Sequence, residues 1–409
     1  MALFVPPQPR FVDVERFEVG DPLAVSFFEE RGFVVFREAL TKAEVSEAEE
    51  LLWRYLESVS SSLDRDDPST WAQHWPPAVG STGILAFLGV GQSEFMWFVR
   101  TRPTVIRAFQ QLWRQRNLLV SFDGCCAWRW GRDYPPKEGW FHCDQNFLRR
   151  PTFECVQGLV NLHDCDETTG GNLLVDGSHR TIFPKLQDHF ESMGRHCDDY
   201  FELPVRTDPR AGDLLRDKPH VVLKLKAGDL LCFDSRTIHC SAPPLREEEK
   251  RRGNFFSDSS KEEQQQQQRL RRAAAFVSYV PKANVPDDVI ARRADCIKNA
   301  TTSTHWVTKL QPTTSYSTWE LIKQDQRRVV DAATDDERLG GPLQTTQDEP
   351  QEHHFRLQKK QENQDDDPAS PFSFTKRPDC VPPDVLFTRP DIRSLVLGDT
   401  SDDDDDMVA

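Results

Sequence analysis

Gly139-Trp-Phe-His-Cys-Asp-Gln-Asn146 is the stretch whose chemistry organises the chain. On an extended strand alternate side chains face the same way, so His142 and Asp144 point together while Cys143 points away. An imidazole and a carboxylate converging on one point are two parts of the 2-His-1-carboxylate facial triad. That triad holds Fe(II) from one side and leaves the opposite positions open for oxygen and a cosubstrate. The third ligand must be a distant histidine. A lone His-x-Asp is common and most often marks a solvated loop or surface strand, so its weight depends on the surrounding sequence.

That sequence is strand-like. Segments at 118–123, 125–130, 141–146, 155–163, 172–175, 221–225, 230–234 and 272–279 are short, rich in apolar residues and mostly separated by turn chemistry. Eight such strands without crossover helices predict an antiparallel double-sheet jelly roll rather than a parallel sheet. Three helices precede them. Leu23, Ala24, Phe27 and Phe28 share a helical face that Gly32 ends before the buried strand Phe33–Phe36. Thr41 and Glu44 make a capping box ahead of the stripe Val45, Ala48, Leu51, Leu52, Tyr55 and Leu56, and Val105, Ile106, Phe109, Leu112 and Trp113 mark a third amphipathic helix. The expected fold is mainly β with flanking helices, the N-terminal helices packed on one sheet.

The 409 residues suffice for a sizeable core, with 37% hydrophobic and 10% aromatic content. A mean hydropathy of −0.62 indicates that part of the chain lies outside that core. The net charge of −15 is concentrated late, in Asp365–Asp367 and Asp402–Asp406, so it describes tails more than a working surface and disfavours nucleic acid as a partner. Ten scattered cysteines without a Cys-x-x-Cys read as reduced thiols. No signal-peptide core and no run of about 18 apolar residues occurs, which predicts a soluble cytoplasmic protein without a membrane partner. Residues 246–268, with the run Gln264–Gln268, and residues 340–370 are charged or Gln-rich and read as disordered. The expected organisation is an N-terminal extension over 1–20, a jelly-roll domain over 21–310 with a low-complexity insertion at 246–268, and a polar, acidic, largely disordered tail over 311–409.

The best third ligand is His239, just past the strand–turn–strand unit Leu225-Lys-Ala-Gly-Asp-Leu-Leu-Cys-Phe-Asp. His163, His179, His220 and His305 are not excluded by their context. Phe141-His-Cys-Asp144, then Asp166-Glu-Thr-Thr-Gly-Gly-Asn-Leu-Leu-Val-Asp-Gly-Ser-His179, then Gly228-Asp-Leu-Leu-Cys-Phe-Asp-Ser-Arg-Thr-Ile-His239 together resemble the phytanoyl-CoA dioxygenase family. The likeness opens at Phe27-Phe-Glu-Glu-Arg-Gly-Phe-Val-Val35 and runs to about Pro281. It implies a double-stranded β-helix, a jelly-roll variant, with Fe(II), 2-oxoglutarate as cosubstrate, O2, and ascorbate as a stimulatory reductant. It also implies His142, Asp144 and His239 as catalytic metal ligands, and His179 as part of a structural Gly-Ser-His turn.

The distal carboxylate of 2-oxoglutarate requires a cation, and a guanidinium pairs with it at two points. Arg271 and Arg272 compete for this role. Arg272 alternates with Ala274, Phe276 and Ser278 and opens an Arg-Ala-x-Ala-Phe pattern shared with ectoine hydroxylases of the family, so it is the chosen anchor. The inserted residues before this strand depart from the short loop usual in the family. Gln157 and Asn161 alternate with apolar neighbours and should face inward as cosubstrate-binding amides, although satisfying backbone groups at a strand edge is an equal reading. Trp128, Trp130 and Trp140 are candidate pocket walls or simply core. Thr301-Thr-Ser-Thr-His-Trp306 reads as an ordered loop within the domain.

The leading reading is a dioxygenase that hydroxylates a small-molecule substrate and releases succinate and CO2. The carboxylate Asp144 distinguishes it from halogenases, which replace that residue with a small one. The alternatives are a catalytically silent sensor or scaffold on the same fold, and a cupin-like site using another divalent metal. The sequence names neither the substrate nor the oligomeric state.

Overall fold

The computed structural model describes residues 9–60, 62–76, 83–129, 139–197, 199–245, 270–313, 379–382 and 384–398. The 246–268 insertion, Trp130 and most of the C-terminal tail lie outside the described residues.

The strands are β1 (Arg10–Asp13), β2 (Arg16–Phe17), β3 (Phe33–Phe36), β4 (Ile84–Leu85), β5 (Leu118–Val120), β6 (Cys125–Arg129), β7 (His142–Cys143), β8 (Val156–Asn161), β9 (Gly171–Val175), β10 (Phe201–Glu202), β11 (His220–Lys224), β12 (Leu230–Asp234), β13 (His239–Ala242) and β14 (Leu270–Pro281). They form two sheets, ordered β2-β3-β12-β8-β14-β6-β4 and β1-β11-β9-β13-β7-β10, with β5 pairing the far end of β14. The pairings among β6, β14, β8 and β12, and among β7, β13, β9 and β11, are antiparallel. The chain passes between the sheets at β6–β7, β7–β8, β8–β9, β11–β12, β12–β13 and β13–β14. This is the double-stranded β-helix form of the jelly roll, open rather than closed into a barrel.

Residue alternation sorts the faces of the larger sheet. Val156, Val160, Leu230, Cys232, Ala275 and Val277 join one core cluster with Val45, Leu52 and Leu56 of the helix Lys42–Val59 and with Val105 and Phe109 of the helix Pro103–Trp113. The intervening residues Leu159, Leu231, Phe233, Cys126, Trp128 and Ala274 face the other sheet and meet Leu174, Val221 and Leu223. Gly158 sits where a Cβ would come within 2.8 Å of the Phe109 ring, so only glycine lets the helix approach this closely. The N-terminal helices therefore cover one face and leave the other to build the site. The capping box at Thr41 and Glu44 and the left-handed stop at Gly32 both form as the sequence predicts.

Two boundaries differ from the sequence reading. Residues 10–17, assigned to an N-terminal extension, add a strand to each sheet: β1 runs parallel to β11 and β2 parallel to β3. The β1–β11 pairing joins residues 211 positions apart and the β2–β3 pairing residues 19 apart, and parallel edge pairing has no hairpin turn to mark it in the sequence. The second difference lies in the tail, where the helix Pro390–Leu397 buries Ile392, Leu395 and Val396. The fully buried Arg293, on the helix Asp287–Lys298, donates to the carbonyls of Val396 (2.6 Å), Leu395 (3.2 Å) and Val120. Polar composition over the whole tail masks this short apolar stripe.

Candidate metal centre

His142 on β7 and His239 at the start of β13 are direct cross-strand neighbours, with ring centroids 4.2 Å apart. Asp144 follows β7 and is fixed by its backbone N–H, which donates to the Ser235 carbonyl at 3.0 Å. Its Oδ1 lies 3.5 Å from His142 Nε2 and its Oδ2 lies 3.3 Å from His239 Nε2. The three residues can each offer a ligand atom, and these atoms lie within 4.8 Å of one another. The strand expected over 141–146 is only two residues long, so a loop rather than continued alternation carries Asp144 to the histidines.

The histidine tautomers follow from their partners. His142 Nδ1 is 2.9 Å from the Trp140 carbonyl and His239 Nδ1 is 2.9 Å from the Thr237 carbonyl. A carbonyl only accepts, so each Nδ1 carries a proton and each ring is fixed with its Nε2 directed at the Asp144 carboxylate. This is the arrangement in which outer partners orient metal-ligating imidazoles. Gln157 Nε2 donates to Asp144 Oδ2 at 2.8 Å and to Ser235 Oγ at 3.1 Å, holding the carboxylate from the facing sheet. Burial pushes the Asp144 carboxyl up, but His239 and His142 outweigh it and hold the group well below the ordinary carboxylate range. Trp140 stacks on the His142 ring at 4.2 Å and Tyr200 lies against it at 4.9 Å.

Arg272 shares the inner face with Ala274, opposite Trp128 on β6, and is 6% exposed. Its Nε has no hydrogen-bond partner, and among the described residues no carboxylate pairs with it. A buried cation left in this state suits a ligand that brings its own carboxylate. Arg271, at an irregularity in the strand pairing, directs its Nε to the Thr169 carbonyl at 3.3 Å. Asn161 is also inward, but its amide donates to the carbonyls of Leu159 (3.3 Å) and Asp229 (3.5 Å) and its Oδ1 accepts from the Cys165 thiol at 3.4 Å. Trp128 is buried beside Arg272, and Trp140 stands at the histidines.

The other histidines separate cleanly. His163 pairs with Glu49, and His220 contacts the Leu215 carbonyl through Nε2. His179 Nε2 reaches the Glu29 carbonyl, and its neighbour Ser178 Oγ accepts from the Ile238 backbone, so the Gly-Ser-His turn braces the segment that carries His239. His305 is different. It lies close enough to Asp144 for that carboxylate to act on it, and its buried Nε2 has no hydrogen-bond partner. Sequence context left His305 open, and it did not single out Ser235 or Tyr200. Their placement depends on loops that pack across the ends of both sheets.

Two imidazoles and one carboxylate, oriented by backbone and amide partners, make a donor set that fits a ferrous ion, and the orphaned guanidinium fits the far end of a 2-oxo dicarboxylic acid. Residues 28–252, more than half of the chain, match the family described as phytanoyl-CoA dioxygenase. The chain belongs to the phytanoyl-CoA dioxygenase family. It is 28% identical over 225 residues to the Ava biosynthesis cluster protein O of Aspergillus versicolor, covering 52% of this chain and 70% of that protein. It is 27% identical over 193 residues to a Dictyostelium discoideum protein named for phytanoyl-CoA dioxygenase, covering 38% of this chain and 55% of the relative. Among solved structures, EctD from S. alaskensis with bound Fe aligns over 68% of this chain and 82% of its own, at 15% identity and a TM-score of 0.43. The carbocyclase SnoK from nogalamycin biosynthesis aligns over 66% and 88%, at 16% identity and a TM-score of 0.39. No helix among the described residues is long and apolar enough to cross a membrane.

Proposed function

We propose that this family member is an Fe(II)- and 2-oxoglutarate-dependent oxygenase that hydroxylates a small organic molecule with release of succinate and CO2. The observation that carries the reading is the cluster of His142, Asp144 and His239, both histidines tied through Nδ1 so that Nε2 faces the carboxylate. In this reading those three residues hold the metal and Arg272 receives the distal carboxylate of 2-oxoglutarate. Bound there, ferrous iron supplies oxygen activation coupled to oxidative decarboxylation of the 2-oxo acid.

The chain's own contribution is orientation and exclusion of water. Gln157, through its amide, and Ser235, through the Asp144 backbone, restrain the residue, while the facing imidazoles of His239 and His142 favour its ionised, ligating form. Leu159, Leu174, Phe233 and Ala274 make the space between the sheets apolar, which strengthens the pairing of Arg272 with a bound carboxylate. A small-molecule substrate accords with the Aspergillus relative being named for a biosynthesis cluster. The ten scattered cysteines, none in a Cys-x-x-Cys spacing, accord with a reducing compartment such as the cytoplasm.

The test is anaerobic addition of Fe(II) and then 2-oxoglutarate, following the visible metal-to-ligand absorption. Admission of O2 with ascorbate is followed by succinate measurement against a set of small molecules. Absence of both the absorption and any succinate would overturn the reading.

A further inference from the structure

The edge strand β10 turns its alternating residues toward two different surroundings. Phe201 pairs with Cys143 and Glu202 with His142 in the antiparallel register, and His142 in turn pairs with His239. Directly paired residues project from the same face of a sheet, so His239, His142 and Glu202 form one row across three strands. Phe201 and Leu203 lie on the opposite face, packed with Phe141 and Cys143 in a separate apolar cluster. Tyr200, two residues before Glu202, joins the metal-facing side, where its ring lies 4.9 Å from that of His142. Glu202 is exposed while the two histidines are buried, so the row runs from the metal ligands out to solvent.

The chemistry of that outer end is one-sided. The Tyr200 hydroxyl donates to Glu202 Oε2 at 2.9 Å, which commits its only proton. An ionised carboxylate has no donor of its own, so carboxylate and phenol together present lone pairs to whatever enters. The rings of Tyr200 and Trp140, both set against His142, wall the same approach. A negative, acceptor-only surface beside aromatic rings matches a group that is cationic and donates hydrogen bonds. The neighbouring Asp199 is not equivalent, because it is 7% exposed and already held between Arg150, at 3.2 Å, and Lys309. Arg272, at the inner end, favours an acid, so the two ends of the site sort their ligands by charge.

We infer that Glu202, ordered by Tyr200, determines substrate specificity: the small molecule oxidised here carries a protonated amine, which pairs with the Glu202 carboxylate while the rest of the molecule reaches inward to the metal. This inference rests on the oxygenase reading proposed above.

The full-length protein with Fe(II) and 2-oxoglutarate is titrated anaerobically with benzylammonium, with benzyl alcohol, which has the same ring and no charge, and with benzoate. Binding is read from the line widths of the ligand ring protons, and a Zn(II)-loaded sample serves as the diamagnetic control, so extra broadening by Fe(II) places the ring near the metal. The wild type binds benzylammonium about fivefold more tightly than benzyl alcohol, the scale of one partly exposed ion pair. Glu202→Gln loses that preference while its affinity for benzyl alcohol stays the same. Glu202→Lys reverses it in favour of benzoate, a result that damage to the fold would not give. No preference for the cation in the wild type, an equal preference in Glu202→Gln, or no extra broadening by Fe(II) overturns the role of Glu202. The visible absorption formed by Fe(II) and 2-oxoglutarate is recorded in the same samples. Its presence without a preference for the cation overturns this inference alone, whereas its absence, with no succinate formed after O2 is admitted, overturns the oxygenase reading and this inference with it.

Discussion

The amide of Gln157 and the carboxylate of Asp144 come from opposite sheets and meet at 2.8 Å. Gln157 thereby couples the helix-backed sheet to the strand pair that carries the histidines. Gln157→Leu removes the donor while keeping the bulk, so Asp144 retains its place but loses one restraint on its rotation. Fe(II) affinity should fall by about 10- to 100-fold, the usual effect of losing an outer-shell partner. A Fe(II) titration beside a urea unfolding curve checks this, because stability should change by no more than about 1 to 2 kcal/mol. Unchanged affinity would mean that the backbone bond of Asp144 to the Ser235 carbonyl places the residue without help from Gln157.

Asp144→Ala, His142→Ala and His239→Ala should each abolish detectable Fe(II) binding while the protein stays folded, since two remaining donors hold a labile ferrous ion poorly. Equilibrium dialysis with Fe(II), with circular dichroism as the folding control, reads this directly. Asp144→Ala with undiminished Fe(II) binding would place the metal elsewhere.

Gly32 links fold to site. It has φ of +79°, and a Cβ there would lie 2.4 Å from His179 Nδ1 and 2.6 Å from Thr237 Oγ1. Thr237 also supplies the carbonyl that holds His239 Nδ1. Gly32→Ala should therefore cost roughly 1 to 3 kcal/mol through backbone strain and, unlike most surface changes, also weaken Fe(II) binding. A loss of stability with unchanged metal affinity would separate the turn from the site.

Much of this arrangement was legible in the sequence, for identifiable reasons. Helix caps, turn glycines and strand alternation are local, and they placed the helix Lys42–Val59, the end of the helix Leu23–Arg31, the inward set of β8 and the inward Arg272 of β14. The strand–turn–strand pattern ahead of His239 made it the best candidate for the third ligand, with His163, His179, His220 and His305 left open until the family resemblance selected it. Contacts between residues distant in sequence were not legible. The parallel pairing of β1 with β11, the buried Arg293 cradled by the tail helix, and the arrival of His305 beside Asp144 depend on how loops cross the sheets. Asn161 marks the boundary between the two kinds of information: alternation gave its face, but its amide bonds to carbonyls and to Cys165, which only the packed structure displays.

His179 and His220 give a pH dependence. Burial lowers the affinity of both imidazoles for a proton in the folded state. Their neutral forms therefore contribute stability that is present above the unfolded value of about 6.5 and is lost as pH falls below it. Urea unfolding at pH 7 and pH 5.5 should show a lower stability at the acidic value. The difference should shrink in His179→Gln, and an identical difference in that variant would assign the effect to other groups.

The last expectation separates Arg272 from Arg271. Arg272 lies on the inner face with Ala274 and without a carboxylate partner among the described residues, whereas Arg271 directs its Nε to the Thr169 carbonyl beside an irregularity in the strand pairing. Arg272→Ala would leave the distal carboxylate of 2-oxoglutarate buried without its cation, a loss of roughly 3 to 5 kcal/mol for a desolvated pair. Arg272→Lys should also bind poorly, because an ammonium cannot reproduce the planar two-point contact. Arg271→Ala should leave cosubstrate affinity near that of the wild type. Anaerobic titration of each Fe(II)-loaded variant with 2-oxoglutarate distinguishes them. Because a one-residue slip exchanges the two faces of a strand, the reverse result, weak binding in Arg271→Ala and normal binding in Arg272→Ala, would mean that β14 enters the sheet one residue out of the register described here.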